Sequence, residues 1–187
     1  MFLLAITPGG GFHASRWRSV LKSGVNGFLI REQDLEARAL LDAARWCQDT
    51  APEVELWVRG RLDVALAAGC GLHAPEAYPD IPHGFLPLSR PLHGAEQFPS
   101  RRGCTQLLIA PVFETPGKGS PWGVTRVHRF LDEAAMGPRL LALGGMTPDN
   151  AQELFHPRLD GFALIRALWE TTDPGGTVER LKATGSR

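Results

Sequence analysis

Short apolar runs recur along the chain, each closed by glycine, proline or a polar cluster, and between them lie stretches in which apolar residues return every three or four positions. The runs Phe2–Thr7, Gly27–Glu32, Glu55–Arg59, Gly71–His73, Phe85–Ser89, Gln106–Phe113, Arg139–Leu143 and Gly161–Ile165 have the length and composition of buried strands. Asp34 opens Asp34-Leu35-Glu36-Ala37-Arg38-Ala39-Leu40-Leu41 as a capped amphipathic helix. Thr147-Pro148-Asp149-Asn150 sets a capping hydroxyl and a first-turn proline ahead of Ala151-Gln152-Glu153-Leu154. Arg61–Ala68 and Val124–Ala135 carry the same helical period.

Strand and helix therefore alternate, which predicts a parallel sheet with crossover helices. Eight strands favour a sheet closed on itself: an α/β fold of the (β/α)8 TIM-barrel kind, as a single domain over residues 1–187. Spread over eight units, 187 residues leave about 23 each, against roughly 250 in all for a typical barrel, so the middle units must have short helices. The proline-rich stretch Ala74–Gly84 is where that economy is expected.

Apolar residues at 43% and charged residues at 21% exclude the composition of a disordered chain. Twenty basic residues balance twenty acidic ones, so no overall field draws the protein to nucleic acid or to an anionic membrane, and any anion must be held locally. The apolar start Met1–Ile6 lacks a basic leader and stops at Thr7-Pro8-Gly9, too short for a signal or a spanning helix, and reads as a first strand. Cys47, Cys70 and Cys104 are odd in number with no C-x-x-C pair, and read as reduced core thiols in a cytoplasm.

In such a barrel the reactive residues stand at the C-terminal ends of the strands. Leu143-Gly144-Gly145-Met146-Thr147-Pro148 puts two glycines between strand seven and a helix start, where backbone N–H groups can hold a phosphate; a tight turn needing small residues is the alternative. Strand eight delivers Ile165 and Arg166 to the same rim, where Arg166 could close over a phosphate or cap the barrel as a solvated residue. Strand parity points Arg31 the same way as Leu29, so if Leu29 faces the lumen Arg31 does too, either toward an anion or bridged to a neighbouring acid.

The long segment Phe113–Gly123 has the look of a lid, carrying Glu114 and Lys118. His73 ends a short strand, where it could pack in the core or move a proton. His13, His83, His93, His128 and His156 show no ligand spacing, so no metal site is indicated. No Gly-x-Ser-x-Gly, Walker or dinucleotide pattern calls for a cofactor.

Several segments together resemble the thiamine phosphate synthase and TenI family of small barrels. They are Leu4-Ala5-Ile6-Thr7, Leu29-Ile30-Arg31-Glu32, Arg61 to Ala67, Pro111 to Lys118, Ala142 to Asn150 and Asp160 to Ile165. The resemblance implies a phosphate-binding barrel in thiamine metabolism whose ligand is a small phosphorylated thiazole. Arg31 and Lys118 match anion-binding positions of the synthase. Leu29, Gln33, Arg59-Gly60 and Ala77-Tyr78 depart from its Gln, Lys, Asn-Asp and aspartate positions, which in the synthase serve pyrimidine diphosphate and magnesium.

The Arg-Gly before Arg61 and the Phe113-Glu114-Thr115 motif look more like TenI, a thiazole tautomerase that needs no metal. Its histidine, however, is replaced here by Pro111, leaving His73 and Glu114 as the candidates for acid–base work. The leading expectation is thus a TenI-like protein that binds a thiazole phosphate through Arg31, Lys118, Gly144, Gly145, Ile165 and Arg166. A divergent synthase and a non-catalytic phosphate binder stand behind it. Trp57, Trp122 and Trp169 could serve as core or as the contact surface of a homodimer.

Overall fold

The structure, a computed structural model, describes residues 1–82 and 84–184; of the histidines above, His83 lies outside the described residues. Eight strands, β1 (Phe2–Ile6), β2 (Gly27–Ile30), β3 (Glu55–Arg59), β4 (Gly71–His73), β5 (Leu88–Leu92), β6 (Gln106–Ile109), β7 (Arg139–Leu143) and β8 (Gly161–Leu164), close into a barrel in sequence order. Every neighbouring pair is parallel, β8 returning to β1. The expected (β/α)8 architecture is therefore the one observed.

Side chains alternate across the strands, and the two faces fill different spaces. Leu4, Ile6, Leu29, Trp57, Leu108, Leu141 and Ala163 pack together inside the barrel. Their neighbours, such as Leu3, Phe28, Val58, Leu72, Ile109 and Phe162, point outward into a larger core. Against that face lie the helices α1 (Ala14–Leu21), α2 (Ala37–Thr50), α3 (Leu62–Ala68), α4 (Phe98–Arg101), α5 (Val124–Glu133), α6 (Arg166–Trp169) and α7 (Pro174–Thr184). None of the described helices is long and apolar enough to cross a membrane.

Trp57 sets the lumen's dimensions. A Cβ on Gly71 of β4 would lie 2.3 Å from its ring, so the neighbouring strand must be bare there. The N-terminal floor is closed by Arg139, whose Nη1 and Nη2 reach the Glu55 carboxylate at 2.8 and 3.0 Å while its guanidinium lies 3.7 Å from the centre of the Phe2 ring.

The differences from the sequence pattern are local. The fifth strand runs over Leu88–Leu92 and not Phe85–Ser89, leaving Phe85 63% exposed. Pro91 argues against a strand by itself, but pairing with β4 through Leu72↔Leu88 and with β6 through Leu92↔Ile109 overrides it. The helix expected to start at Asp34 begins at Ala37, because the chain first bends down from the rim, and Glu36 at its N-cap makes no side-chain cap bond. Thr147 and Asn150 do bond reciprocally, at 2.9 and 3.4 Å, yet the helix they start is a single 3-10 turn, Ala151–Leu154, cut short before Pro157.

Helices α1 and α7 went unread in the sequence. Ala74–Gly84 forms no helix among its described residues; the buried Arg90 ties it down instead, donating to the Tyr78 and Pro79 carbonyls at 3.3 and 2.9 Å. The three cysteines are free and buried, and burial pushes the Cys47 thiol up to about 12. Trp57 and Trp122 are buried, and the half-buried Trp169 donates its indole N–H to the Ile6 carbonyl at 2.7 Å, so these rings are built into the fold.

Replacing Gly71 by Val should cost about 1–3 kcal/mol through overpacking against Trp57. It would be read as a lower urea midpoint at unchanged slope. A midpoint equal to wild type would mean that Trp57 can step aside.

Candidate functional site

At the C-terminal mouth the lumen opens into two abutting hollows of about 830 and 460 Å3 that share Arg31, Thr115, Leu143, Gly144 and Ile165. The larger lies over the ends of β7 and β8. The smaller lies over β2 to β6, floored by Ile6, Leu29 and Leu108 of the inner packing layer.

The larger hollow is shaped by the glycine pair. Gly144 and Gly145 have φ of 104° and 66°, conformations costly for other residues, and a Cβ on either would strike Pro111 at 2.8 Å or Phe113 at 2.7 Å. The segment after β6 is drawn in here by Val112 N–H donating to Leu143 O at 2.9 Å and Phe113 N–H to Gly144 O at 3.0 Å. Packing therefore demands these glycines as firmly as any ligand would. Opposite them β8 passes through Ile165 into the single-turn α6, which begins with Arg166. A turn after strand seven facing the start of a short helix after strand eight is the usual phosphate station of such barrels. Arg166 is exposed on this hollow with no carboxylate partner among the described residues.

The smaller hollow is cationic. Arg31 shares the inward side with Leu29, as parity predicts; its Nη1 donates to Pro8 O at 3.1 Å and it meets no acid among the described residues, which removes the bridging alternative. Arg59, the last residue of β3, lines the same hollow, and burial together with the Arg31 charge lowers its pKa. Lys118 reaches it from the exposed loop tip. Like charges left unpaired around one hollow favour an anion between them.

His73 stands at the bottom of this hollow, 7% exposed, with Nδ1 2.9 Å from the Ser89 hydroxyl. Burial first, and then the charges of Arg59, Arg90 and Arg31, lower its pKa to about 3, so the imidazole is neutral at physiological pH. Glu114 is exposed and lines neither hollow, so the structure does not bring it to His73. The loop Phe113–Gly123 is tied at its far end by Trp122 N–H and Gly123 N–H donating to Pro111 O and Val112 O at 2.8 and 3.0 Å.

His93 and Glu76 also line the smaller hollow, and neither was read as a site residue. His93 Nδ1 is 2.7 Å from the Ala110 carbonyl, so it carries the proton, while Nε2 lies 4.0 Å from the Glu76 carboxylate that Arg101 holds at 2.6 Å. The signal was available: His93 follows the last residue of β5, and only the misplaced strand end concealed it.

The resemblance to the synthase implies magnesium, which favours carboxylate oxygens. Among the described residues no three or more His, Cys, Asp or Glu side chains come together as a metal site, and the end of β3 supplies a guanidinium, Arg59, at the cleft. These residues do not fit the metal.

No protein-family model matches the chain. Curated relatives do. It is 30% identical over 193 residues to the thiamine-phosphate synthase of Albidiferax ferrireducens, covering 93% of this chain and 85% of the relative. It is 29% identical over 188 residues to that of Syntrophomonas wolfei, covering 91% and 87%. The chain belongs to the thiamine-phosphate synthase family. Among solved structures, the thiamine phosphate pyrophosphorylase of Pyrococcus furiosus superposes with a TM-score of 0.84 at 21% identity, covering 98% of this chain and 95% of that one, and so shares its fold.

In this thiamine-phosphate synthase relative, the environment of His73 makes stability depend on pH. Unfolded, the residue takes up a proton near 6.5; folded, only near 3. Between these values the unfolded state binds more protons, so stability should fall as pH is lowered through that window, by at most about 1.4 kcal/mol per pH unit from this group. His73→Gln should flatten that part of the stability curve, and a wild-type imidazole that titrates near 6.5 by NMR would contradict the assignment.

Proposed function

We propose that this protein is a divergent thiamine-phosphate synthase, joining a pyrimidine diphosphate to a thiazole phosphate. The observation that carries this reading is the two-ended cleft. The glycine turn and Arg166 stand at one end and the Arg59 and Lys118 cations at the other, with Arg31 lining both hollows beside the shared Leu143 and Ile165. Two anionic substrates need two such ends.

The thiazole phosphate belongs at Gly144, Gly145, Ile165 and Arg166, and the diphosphate at Arg31, Arg59 and Lys118. As the pyrimidine carbon passes to the thiazole, its bond to the diphosphate breaks and the electron pair leaves with that group. Positive side chains fixed beside the departing oxygens lower the barrier by preorganised electrostatics. The relatives described above carry the synthase name, which ranks this reading ahead of the tautomerase expectation.

Tautomerisation of a carboxythiazole phosphate is the second reading, favoured by one observation: an imidazole, His73, lies in the cleft beside cations that would hold a carboxylate.

Incubation with both substrates, with magnesium and with chelator, should yield thiamine phosphate, and Arg31→Ala should lower kcat/KM by about 10- to 100-fold, the worth of a charged hydrogen bond. Arg166→Ala should raise KM for the thiazole phosphate by a similar factor. Absence of product under both conditions would overturn the synthase reading. Interconversion of carboxythiazole phosphate tautomers that is lost in His73→Ala would then establish the second, and calorimetric binding without turnover would leave a non-catalytic binder.

A further inference from the structure

Four polar residues, His73, Ser89, Gln106 and Arg139, occupy inward positions that form one continuous line across β4 to β7. They are in-register neighbours on successive strands, His73↔Ser89, Ser89↔Gln106 and Gln106↔Arg139. His73 is the last residue of β4 while Gln106 and Arg139 are the first of β6 and β7, so the row climbs from the floor of the barrel to its mouth. Ser89 and Gln106 are fully buried.

The chemistry of the row has a single direction. Arg139 can only donate; its Nη1 lies 3.4 Å from Gln106 Oε1 while the guanidinium is fixed by Glu55. The carbonyl of the Gln106 amide therefore faces Arg139, and its NH2 faces Ser89, with Nε2 3.3 Å from Oγ. An amide NH2 can only donate, so the Ser89 oxygen accepts there. Among the described residues, the one acceptor that remains for the Ser89 hydroxyl proton is His73 Nδ1 at 2.9 Å. The reverse arrangement, Nδ1–H donating to Ser89, would leave a fully buried hydroxyl proton without an acceptor, which folded proteins avoid.

We propose that Arg139, Gln106 and Ser89 are positioning residues that hold His73 as its Nε2–H tautomer, presenting a hydrogen-bond donor, and not a base, to the cleft. The hollow it faces also carries Arg31, Arg59 and Lys118, all donors, so a ligand group held between them and His73 is an acceptor. A neutral imidazole donating in this way can act as an electrophile toward developing negative charge. The depressed basicity of His73 agrees, since a protonated ring could not accept from Ser89. The use of this donor in turnover rests on the proposed function; the tautomer does not.

The test is the 15N spectrum of the histidine ring nitrogens at pH 7 in the full chain. The wild type should show His73 with a pyrrole-type Nε2 and a pyridine-type Nδ1. Gln106→Glu keeps the shape but turns the donor into an acceptor, so Ser89 should reverse and His73 should switch to Nδ1–H. Ser89→Ala, which removes the link should the first variant fail to fold, should give a mixture of tautomers. A wild-type Nδ1–H ring, or a tautomer unmoved by either substitution, would overturn the proposal. If thiamine phosphate is formed, Gln106→Glu should also reduce kcat/KM by on the order of tenfold, the worth of one neutral hydrogen bond. A protein that makes no product but shows the tautomer switch would refute the reaction and leave the relay standing.

Discussion

Trp57 fills the middle of the lumen against the bare backbone of Gly71, and the cleft exists because nothing comparable stands above it. The inward residues one step higher are Arg59, His73, Pro91, Ala110 and Ile165, too small or too polar to close the mouth. A barrel interior is a packed core and not a pore, so its filled middle layer is what converts the upper ends of the strands into a floor. Two of the rim cations are then placed by strand direction: Arg31 two residues beyond Leu29, Arg59 two beyond Trp57. The floor and these two charges belong to the same stretches of chain, so their spacing is set by the barrel.

That arrangement concentrates positive charge in a molecule with none to spare overall. With twenty residues of each sign the chain has no long-range field, yet Arg31, Arg59 and Lys118 share one hollow without an acid between Arg31 and Arg59. Mutual repulsion in a partly desolvated space is a cost the fold carries without a bound anion and recovers with one. The lowered pKa of Arg59 and the neutral state of His73 have this common origin, burial reinforced by neighbouring guanidiniums. Electrostatic bias toward an anion and suppression of histidine charge are thus the same property of the cleft.

What the amino-acid pattern revealed follows the range of the forces involved. Strand and helix alternation, the turn at Gly144–Gly145 and the inward direction of Arg31 are local or period-two features, and each was legible. The end of β5 was not, because Pro91 speaks locally against a strand while pairing with β4 and β6 decides for it; the error displaced the rim by three residues and hid His93. The row from Arg139 to His73 was further out of reach. Its members are widely spaced in sequence, and only the register of three separate strand pairs brings them into one line.

Arg59 illustrates how a single position couples these levels. At the end of β3 a carboxylate or amide would offer oxygens to a metal, whereas a guanidinium offers only N–H donors and a fixed charge. It cannot ligate magnesium, and it raises the cost of a metal nearby. The same charge presses on His73 through the adjacent register position, Arg59↔His73, and so favours a neutral ring. The cations that crowd the cleft therefore also keep its histidine uncharged, while the polar row that reaches His73 starts from the opposite end of the barrel.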